Sequence, residues 1–464
     1  MKKLYIKTYG CQMNFYDSDK IKNLLKKLNY SVTDSVKEAD LIVLNTCHIR
    51  DKAVEKTFSD LGRIKKSVDR ITPIQKPLVA VAGCVAQAQG KEIMRRSPWV
   101  DIVVGPQSYT DLPKLITDLD NIKKKKIINI EFPTIPKFDN LDHSLIERKN
   151  SALLTIQEGC DKFCSFCVVP YTRGPEFSRS IDSIMSEVKI LAQKGVKEII
   201  LLGQNVNAWK SKSKYGNEWS FGNLIEEIAK FDKIFSIRYT TSHPLDMDIE
   251  LLKAHKNIKK LMPYLHLPIQ SGSNFMLKKM NRKHTVKDYL NIIEKVRNFR
   301  PDIAISSDFI VGYPYESDKD HKQTLKLIED VKFASSYSFK FSPRPGTPAA
   351  NSNCQVDDNI KKIRLREIQD LLKKQQIDFN QGTVNKTMDI LISDFNKKSQ
   401  FVGKSPYNQT IIVDTSSNVI SKRDKIINYN TVDYVGKIKK VKIIQAFQNS
   451  LEARLVPETN LEYN

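Results

Sequence analysis

The feature of this sequence that most constrains its fold is a regular alternation of short apolar runs with amphipathic helical segments. Within residues 1–145, apolar runs occur at positions 4–8, 41–45, 78–82 and 102–104. Helical patterns lie between them, for example at 18–28, where residues 21, 24, 25 and 28 place apolar side chains on one face. Repeated β–α units place their strands in parallel and their helices on both faces of the sheet. The sequence therefore predicts a doubly wound parallel sheet for residues 1–145.

A second series of β–α repeats follows a linker that contains the basic run 123–126 and extends to residue 150. In the region 146–380, strand-like runs occur at 153–157, 198–203, 236–240, 264–267, 304–311 and 336–341. Helical patterns occur at 183–193, 221–231, 286–299 and 319–331, and a longer charged helix is predicted for 357–380. Six repeats are too few for the closed eight-unit barrel. We therefore predict a partial, open (β/α)6 barrel.

The pattern changes after Gly382 to strands alone. Apolar runs occur at 387–392, 400–402, 410–413, 431–444 and 451–456, with no long helix between them. This arrangement is typical of a small β-barrel. We place this third domain at 381–446 and treat residues 447–464 as a tail, so the chain as a whole belongs to the α/β class.

Charge and cysteine content bear on partners and location. The chain has 75 Lys and Arg against 53 Asp and Glu, a net charge of +22. This excess favours a polyanionic partner, although a lysine-rich proteome would produce the same bias. The longest nearly unbroken apolar run, 78–86, is far shorter than the ~20 residues of a membrane span. Seven cysteines, an odd number, argue against a disulfide framework, so we expect a cytoplasmic protein with no membrane contact.

The strongest local motif is a C-x3-C-x2-C loop formed by Cys160, Cys164 and Cys167, directly after a predicted strand. Three thiolates from one short loop can hold three irons of a [4Fe–4S] cluster and leave the fourth iron open for a substrate molecule. A structural zinc site would need a fourth Cys or His at the usual spacing, and the sequence offers none there. The loop therefore favours an iron–sulfur cluster over zinc or inert thiols.

A second cysteine grouping is visible only through the predicted strands. Cys11, Cys47 and Cys84 each follow the end of one strand of the N-terminal sheet. The carboxyl ends of parallel strands share one edge of a sheet, where ligands bind. We expect these thiols to converge there, with buried, inert cysteines as the alternative. The seventh cysteine, Cys354, stands alone.

These motifs resemble those of the radical S-adenosylmethionine (SAM) methylthiotransferases, specifically the MiaB type that modifies tRNA. The resemblance covers nearly the whole chain in order. It rests on the cysteine loop and on residues 9–14 (YGCQMN), 45–47 (NTC), 83–84 (GC), 169–174 (VPYTRG), 202–207 (LGQNVN), 241–244 (TSHP), 265–272 (LHLPIQSG), 308–312 (DFIVG) and 342–347 (SPRPGT). The segment 401–405 (FVGKS) is similar to part of the RNA-binding TRAM barrel of that family.

The resemblance implies two [4Fe–4S] clusters and SAM as cofactors. Cys160, Cys164 and Cys167 would hold the SAM-binding cluster, on which SAM is cleaved to a 5′-deoxyadenosyl radical, because adenine C2–H is not acidic enough for base chemistry. Cys11, Cys47 and Cys84 would hold an auxiliary cluster that carries the sulfur. By the same resemblance, the residues that would contact SAM are Phe166, Gly203, Gln204, Asn205 and Gly312.

The resemblance further implies methylthiolation of N6-isopentenyladenosine beside the anticodon. The expected partners are the tRNA anticodon stem-loop, an electron donor and a sulfur or cluster donor protein, and the chain is expected to be a monomer. Relatives of the same reaction class act on threonylcarbamoyl-adenosine in tRNA or on an aspartate of a ribosomal protein, and physical reasoning does not choose among these substrates. A non-catalytic RNA-binding or electron-carrier protein with two clusters is a further alternative. Its clusters would have four protein ligands each.

Five further polar residues lie in strand-end or loop motifs and could orient SAM or the substrate. Single polar residues of this kind are more often structural, so the sequence assigns them no role. They are Arg173, Arg238, His243, His266 and Arg344.

Overall fold

The computed structural model describes residues 1–48, 51–69, 76–122, 126–133, 137–140, 150–212, 216, 218–396, 400–414 and 434–457. The predicted boundary between residues 145 and 146 and most of the basic run 123–126 lie outside the described residues. Among the helices described, none combines the length and the apolar character that a bilayer span requires.

The N-terminal region is a six-stranded parallel sheet, as predicted. Its strands have the order β2-β1-β3-β4-β5-β6. Their bounds are β1 Lys2–Thr8, β2 Tyr30–Val32, β3 Leu41–Thr46, β4 Leu78–Gly83, β5 Ile102–Val104 and β6 Ile127–Asn129. Four helices connect them: α1 Gln12–Lys26, α2 Asp51–Val68, α3 Cys84–Arg96 and α4 Leu112–Ile122. Alternate residues of β3 and β4 enter two separate apolar clusters, so both faces of the sheet are covered.

The central region is an open barrel of six parallel strands, which confirms the predicted partial (β/α)6 architecture. Two three-stranded sheets, β13-β10-β7 and β14-β15-β16, are joined by a single bridge between Ile237 and Leu261. The barrel strands are β7 Ser151–Thr155, β10 Glu198–Leu202, β13 Ser236–Tyr239, β14 Tyr264–His266, β15 Ala304–Val311 and β16 Ser335–Lys340. Two small ribbons add β8 Gln157–Glu158 with β9 Phe177–Ser178 and β11 Lys210–Lys212 with β12 Glu218–Ser220.

Helices cover the outside of this barrel and continue beyond it. They are α5 Val169–Thr172, α6 Ile181–Gln193, α7 Phe221–Ala229, α8 Ile249–Asn257, α9 Asn274–Lys279, α10 Val286–Phe299, α11 Asp318–Val331 and α12 Asp358–Gln381. On the face of β7 and β10 opposite these helices, Leu153, Ile200 and Leu202 pack into an apolar cluster of the N-terminal sheet. The first two regions of the chain therefore share a core.

The C-terminal region is a closed five-stranded barrel with the order β17-β18-β19-β21-β20. Its strands are β17 Thr387–Phe395, β18 Phe401–Lys404, β19 Thr410–Val413, β20 Ile438–Ala446 and β21 Leu451–Leu455. Strand β21 pairs with both β19 and β20 and closes the barrel. The barrel therefore extends beyond residue 446, where the sequence placed its end, to Leu455. Closure explains this difference, because a barrel without β21 would leave two open edges.

Candidate active site

The structure brings the three N-terminal thiols together at one edge of the sheet. Cys11 and Cys47 follow β1 and β3, and Cys84 is the first residue of α3, directly after β4. Strands β1, β3 and β4 are neighbours in the sheet, so their ends meet. A hydrogen bond from Cys47 lowers the pKa of Cys11 to about 6, with help from the charge of Arg173 and against the effect of burial. The charge of a Cys11 thiolate in turn acts on Cys84, whose pKa is raised chiefly by burial.

A glycine makes the close approach of Cys11 to Cys47 possible. Gly10 has φ +101°, and a Cβ at this position would stand 2.1 Å from the Cβ of Cys47. No other residue fits this space or adopts this backbone conformation without strain. The Gly–Cys sequence at positions 10 and 11 is thus a local requirement of the convergence.

The second trio of thiols lies in the loop between β8 and α5. Backbone hydrogen bonds shape the loop, from the Cys167 N–H to the Cys164 carbonyl (2.9 Å) and from the Cys160 N–H to the Gly174 carbonyl (3.3 Å). Burial raises the pKa of Cys160 to about 11 and that of Cys167 to about 12, and the charges of neighbouring thiolates add to both shifts. The three thiols therefore lie within electrostatic range of one another.

Both trios fit a metal cluster by the chemistry of their donors. All six cysteines are free, and metal ions deprotonate a thiol outright when it binds them. Within the described part of the chain, no three Cys, His, Asp or Glu side chains are placed to hold a single metal ion. The ligands of a cubane each bind a different iron, so they need not converge on one point as the ligands of a single ion do.

The turn formed by Gly203, Gln204 and Asn205 is held against the second thiol loop by Gln157, which the sequence analysis did not identify. The buried Gln157 Oε1 accepts hydrogen bonds from the backbone N–H groups of Gln204 (2.8 Å) and Asn205 (3.0 Å). In return, Gln204 Oε1 accepts a hydrogen bond from the Gly159 N–H at 2.6 Å. A Cβ on Gly203 would stand 2.6 Å from Gln157 Oε1. The position of Gln157 at the strand end just before the cysteine loop is the signal that could have found it.

Several buried polar atoms around this loop have no hydrogen-bond partner among the described residues. Arg282 donates to the Cys164 sulfur at 3.5 Å through Nη1, but its Nε makes no such bond. Nε2 of His243 and Nε2 of His284 also have no hydrogen-bond partner among the described residues. The two imidazole rings are in edge contact, with centroids 5.8 Å apart. Burial lowers the pKa of His243 to about 2 and that of His284 to about 4. Neutral imidazoles and a guanidinium beside a thiol loop are suited to a polar ligand that completes their bonds.

Two other predicted SAM contacts lie further along the same side. Phe166 packs against a buried cluster that includes Met276, Met280 and Tyr313. The backbone N–H of Gly312 donates to Glu316 Oε2 at 2.7 Å. The side-chain stem of Lys361 occupies the open side of Gly312, since a Cβ there would be 2.2 Å from Lys361 Cγ.

The five unassigned polar residues separate into different places. His266 contacts Ser306 Oγ (3.0 Å) and lies 3.5 Å from Asp308. The charge of Arg173 acts on Cys11 and Cys84 of the N-terminal thiol site. Burial lowers the pKa of Arg344 and the charge of a Cys47 thiolate opposes that shift, so Arg344 also lies beside this site. Arg238 is elsewhere, because its guanidinium donates to the carbonyls of Ser405 and Pro406 in the C-terminal barrel.

Comparison with known proteins gives the same three-part division. Residues 3–105 match the Uncharacterized protein family UPF0004, residues 154–328 the Radical SAM superfamily and residues 381–456 the TRAM domain. Among solved structures, the radical S-adenosylmethionine methyltransferase TsrM from Kitasatospora setae has a TM-score of 0.56 at 13% identity and covers 75% of each chain. The cobalamin-dependent enzyme OxsB has a TM-score of 0.51 at 12% identity, over 81% of this chain and 56% of that one. These similarities support the fold.

Full-length relatives are much more similar. A tRNA-2-methylthio-N(6)-dimethylallyladenosine synthase from Ehrlichia ruminantium (strain Gardel) is 51% identical over 99% of both chains. Proteins of the same name from Wolbachia pipientis subsp. Culex pipiens (50%, 97% of this chain and 99% of the relative) and Rickettsia conorii (48%, 98% and 100%) agree with it. With UPF0004, Radical SAM and TRAM segments in this order, the chain belongs to the radical SAM methylthiotransferases, in the family of the tRNA-2-methylthio-N(6)-dimethylallyladenosine synthases.

Proposed function

We propose that this chain attaches a methylthio group to C2 of N6-isopentenyladenosine beside the tRNA anticodon, using SAM and two [4Fe–4S] clusters. The single observation that carries the proposal is the presence of two separate trios of cysteines, one gathered at the ends of three neighbouring strands and one within a single loop. A trio supplies three of the four ligands of a cubane, so each cluster would keep one iron open. An electron carrier has no use for two such vacancies.

Cys160, Cys164 and Cys167 would hold the SAM-binding cluster, and Cys11, Cys47 and Cys84 the auxiliary one. When bound, the first cluster with SAM supplies a carbon radical that removes hydrogen from adenine C2, and the second supplies the sulfur. The chain's own contribution is to bind and orient SAM and the substrate and to exclude water from them. Gln157 fixes the Gly203–Gln204–Asn205 turn beside the first site, and Phe166 adds an aromatic face.

The substrate proposal draws on the names of relatives about 50% identical over the full chain, which all specify 2-methylthio-N(6)-dimethylallyladenosine in tRNA. The TRAM segment supports RNA as the partner, since small barrels with basic strands bind single-stranded loops. Strand β20 of this barrel pairs with β17 and carries three lysines, which are Lys439, Lys440 and Lys442. The net charge of +22 favours the same partner.

We propose further that residues 1–145, 146–380 and the region from 381 onward act as cluster domain, radical domain and RNA-binding domain. An electron donor and a sulfur or cluster donor protein would serve a monomeric enzyme in the cytoplasm. The free thiols of both trios suit a reducing compartment.

Three measurements test the proposal. Anaerobically prepared protein should contain about eight irons per chain, with matching acid-labile sulfide. With SAM and dithionite it should release 5′-deoxyadenosine, and tRNA carrying isopentenyladenosine should gain the methylthio group, as seen by nucleoside mass spectrometry. A product on threonylcarbamoyl-adenosine instead would replace the substrate assignment.

Single cysteine variants separate the two clusters. Cys164→Ala should abolish release of 5′-deoxyadenosine, whereas Cys47→Ala should keep it and stop methylthiolation. The matched control is Cys354→Ala, because Cys354 is exposed and belongs to neither trio. Methylthiolated RNA from the Cys47 variant would refute the auxiliary-cluster assignment.

A further inference from the structure

A junction of buried charges joins the N-terminal sheet to the barrel beside the N-terminal thiols. Its members come from both regions and are at least 95% buried by side chain. The ion pairs form two groups: the first joins Asp17, Lys137, Glu158 and Arg173, and the second joins Lys20, Arg179 and Glu187. Charges at this depth are costly unless each is paired, so their arrangement is a specific feature of the fold.

Arg173 belongs to the first group, and its charge acts on the thiols of Cys11 and Cys84. It ends α5, a short helix that begins two residues after Cys167 and packs against α3, whose first residue is Cys84. Its Nη2 donates to Asp17 Oδ2 (2.7 Å), and its Nη1 donates to Glu158 Oε1 (2.9 Å). The charge of the guanidinium also acts on Cys84, where it opposes the rise in the thiol pKa that burial causes.

Asn14 ties the same guanidinium to the other two cysteine segments. Asn14 Oδ1 accepts from Arg173 Nη2 (3.0 Å) and from the Cys11 thiol (3.6 Å). Its Nδ2 donates to the carbonyls of Tyr9 and Thr46, both at 2.8 Å, which precede Cys11 and Cys47 by two residues and one residue. One guanidinium from the barrel region is therefore bonded through Asn14 to the Cys11 and Cys47 segments, and it acts on Cys84 through its charge.

We propose that Arg173 is a positioning residue of the auxiliary cluster: it fixes the three N-terminal cysteine segments against the radical SAM core and supplies the buried positive charge that stabilises the anionic cluster. This inference rests on the proposed function, because it presumes that Cys11, Cys47 and Cys84 hold iron. A [4Fe–4S] core with a 2+ charge and three thiolates carries one net negative charge, and reduction adds another. A guanidinium in a low-dielectric site attracts this negative charge, and it attracts the reduced cluster more strongly than the oxidised one. It should therefore favour the reduced state.

Arg179 provides a matched control for Arg173. It is equally buried at the same junction, pairs with Glu187 at 2.9 Å and donates to the Thr155 carbonyl at 2.7 Å. Its described hydrogen bonds reach no thiol. Loss of either arginine should weaken the junction, but only loss of Arg173 should change the properties of the cluster.

The test uses the full chain with Cys160, Cys164 and Cys167 all replaced by alanine, which leaves only the auxiliary site. Iron content and the midpoint reduction potential, followed by electron paramagnetic resonance, are measured for this parent and for Arg173→Met, Arg173→Lys and Arg179→Met. We expect a lower potential in Arg173→Met, a potential close to the parent's in Arg173→Lys, and no shift in Arg179→Met.

Each outcome decides the inference. An unchanged potential in Arg173→Met, or an equal fall in Arg179→Met, would overturn it. If Arg173→Met retains no iron while Arg179→Met does, the positioning role is supported, and the potential of Arg173→Gln then decides the role of the charge. A parent that binds no iron would refute the auxiliary cluster itself and with it this inference, which distinguishes the two failures.

Discussion

At the scale of single residues, the N-terminal site depends on the absence of a side chain as much as on the three thiols. Gly10 allows the Cys11 loop to lie directly on Cys47, because a Cβ at position 10 would stand only 2.1 Å from the Cβ of Cys47. The positive φ of Gly10 adds a second demand that other residues meet only under strain. The site therefore depends on four positions, which are the three cysteines and Gly10.

We expect Gly10→Ala to remove the auxiliary cluster without affecting the other one. The added methyl group must displace Cys47 or reopen the turn, so the three thiols no longer converge. Iron content should fall from about eight to about four per chain, and release of 5′-deoxyadenosine should persist. Gly62→Ala is the control, because a Cβ at Gly62 meets nothing within 4 Å. Full iron content in Gly10→Ala would contradict this reading of the site.

At the scale of elements, helix α12 links the barrel to the C-terminal domain. Near its start, Lys361 covers Gly312 and Arg364 pairs with Glu316, which is 2% exposed, at 2.8 Å. Near its end, Asn380 donates to the carbonyls of Phe447 (2.8 Å) and Gln448 (3.0 Å) in the C-terminal domain. One element therefore connects the predicted SAM-contacting strand end with the predicted RNA-binding barrel.

Removal of the Arg364 charge should destabilise the barrel region. Glu316 would remain buried without its cation in Arg364→Met, at a cost of about 3–5 kcal/mol. Denaturation followed by tryptophan fluorescence measures this loss, because Trp209 lies in the barrel core and Trp219 packs against it. Arg366→Met should change stability by less than about 0.5 kcal/mol, since the Arg366 side chain is 86% exposed.

A second substitution checks the cause of that loss. In Arg364→Met combined with Glu316→Gln, the buried carboxylate is gone and the amide oxygen can still accept from the Gly312 N–H. We expect this double variant to recover much of the lost stability. A double variant as unstable as Arg364→Met would attribute the effect to packing instead of charge.

At the scale of the whole molecule, the sequence was sufficient for the architecture and for the gathering of the cysteines, but it did not reveal the contacts between regions. The periodicity of apolar residues predicts parallel strands, and strands β1, β3 and β4 place their three cysteines at one edge by geometry alone. Arg238 shows the opposite case. The sequence assigned it no role, and its partners Ser405 and Pro406 lie 167 and 168 residues away in another domain. No local pattern encodes such a pairing.

The contact made by Arg238 fixes the C-terminal barrel on the end of the radical SAM barrel where the strands begin. Arg238 Nη2 donates to the Ser405 carbonyl (2.8 Å) and its Nε to Glu198 Oε2 (2.7 Å), at the first residue of β10. The proposed cluster ligands lie at the carboxyl ends of strands, away from this contact. The orientation of the C-terminal barrel can therefore be changed without a change at the proposed cluster sites.

We expect the double variant Arg238→Met with Glu198→Gln to bind tRNA more weakly, by about tenfold. The C-terminal barrel and the proposed active site bind tRNA as a single unit when they are held in one geometry, and this advantage is lost when the barrel is mobile. Release of 5′-deoxyadenosine should be unchanged, and limited proteolysis should separate the C-terminal barrel more readily. Glu198→Gln alone is the matched control, because it keeps the bonds from Arg238 to Ser405 and Pro406. Equal tRNA affinity in the double variant and this control would show that docking of the barrel contributes nothing to substrate binding, and that the C-terminal domain acts as an independent module.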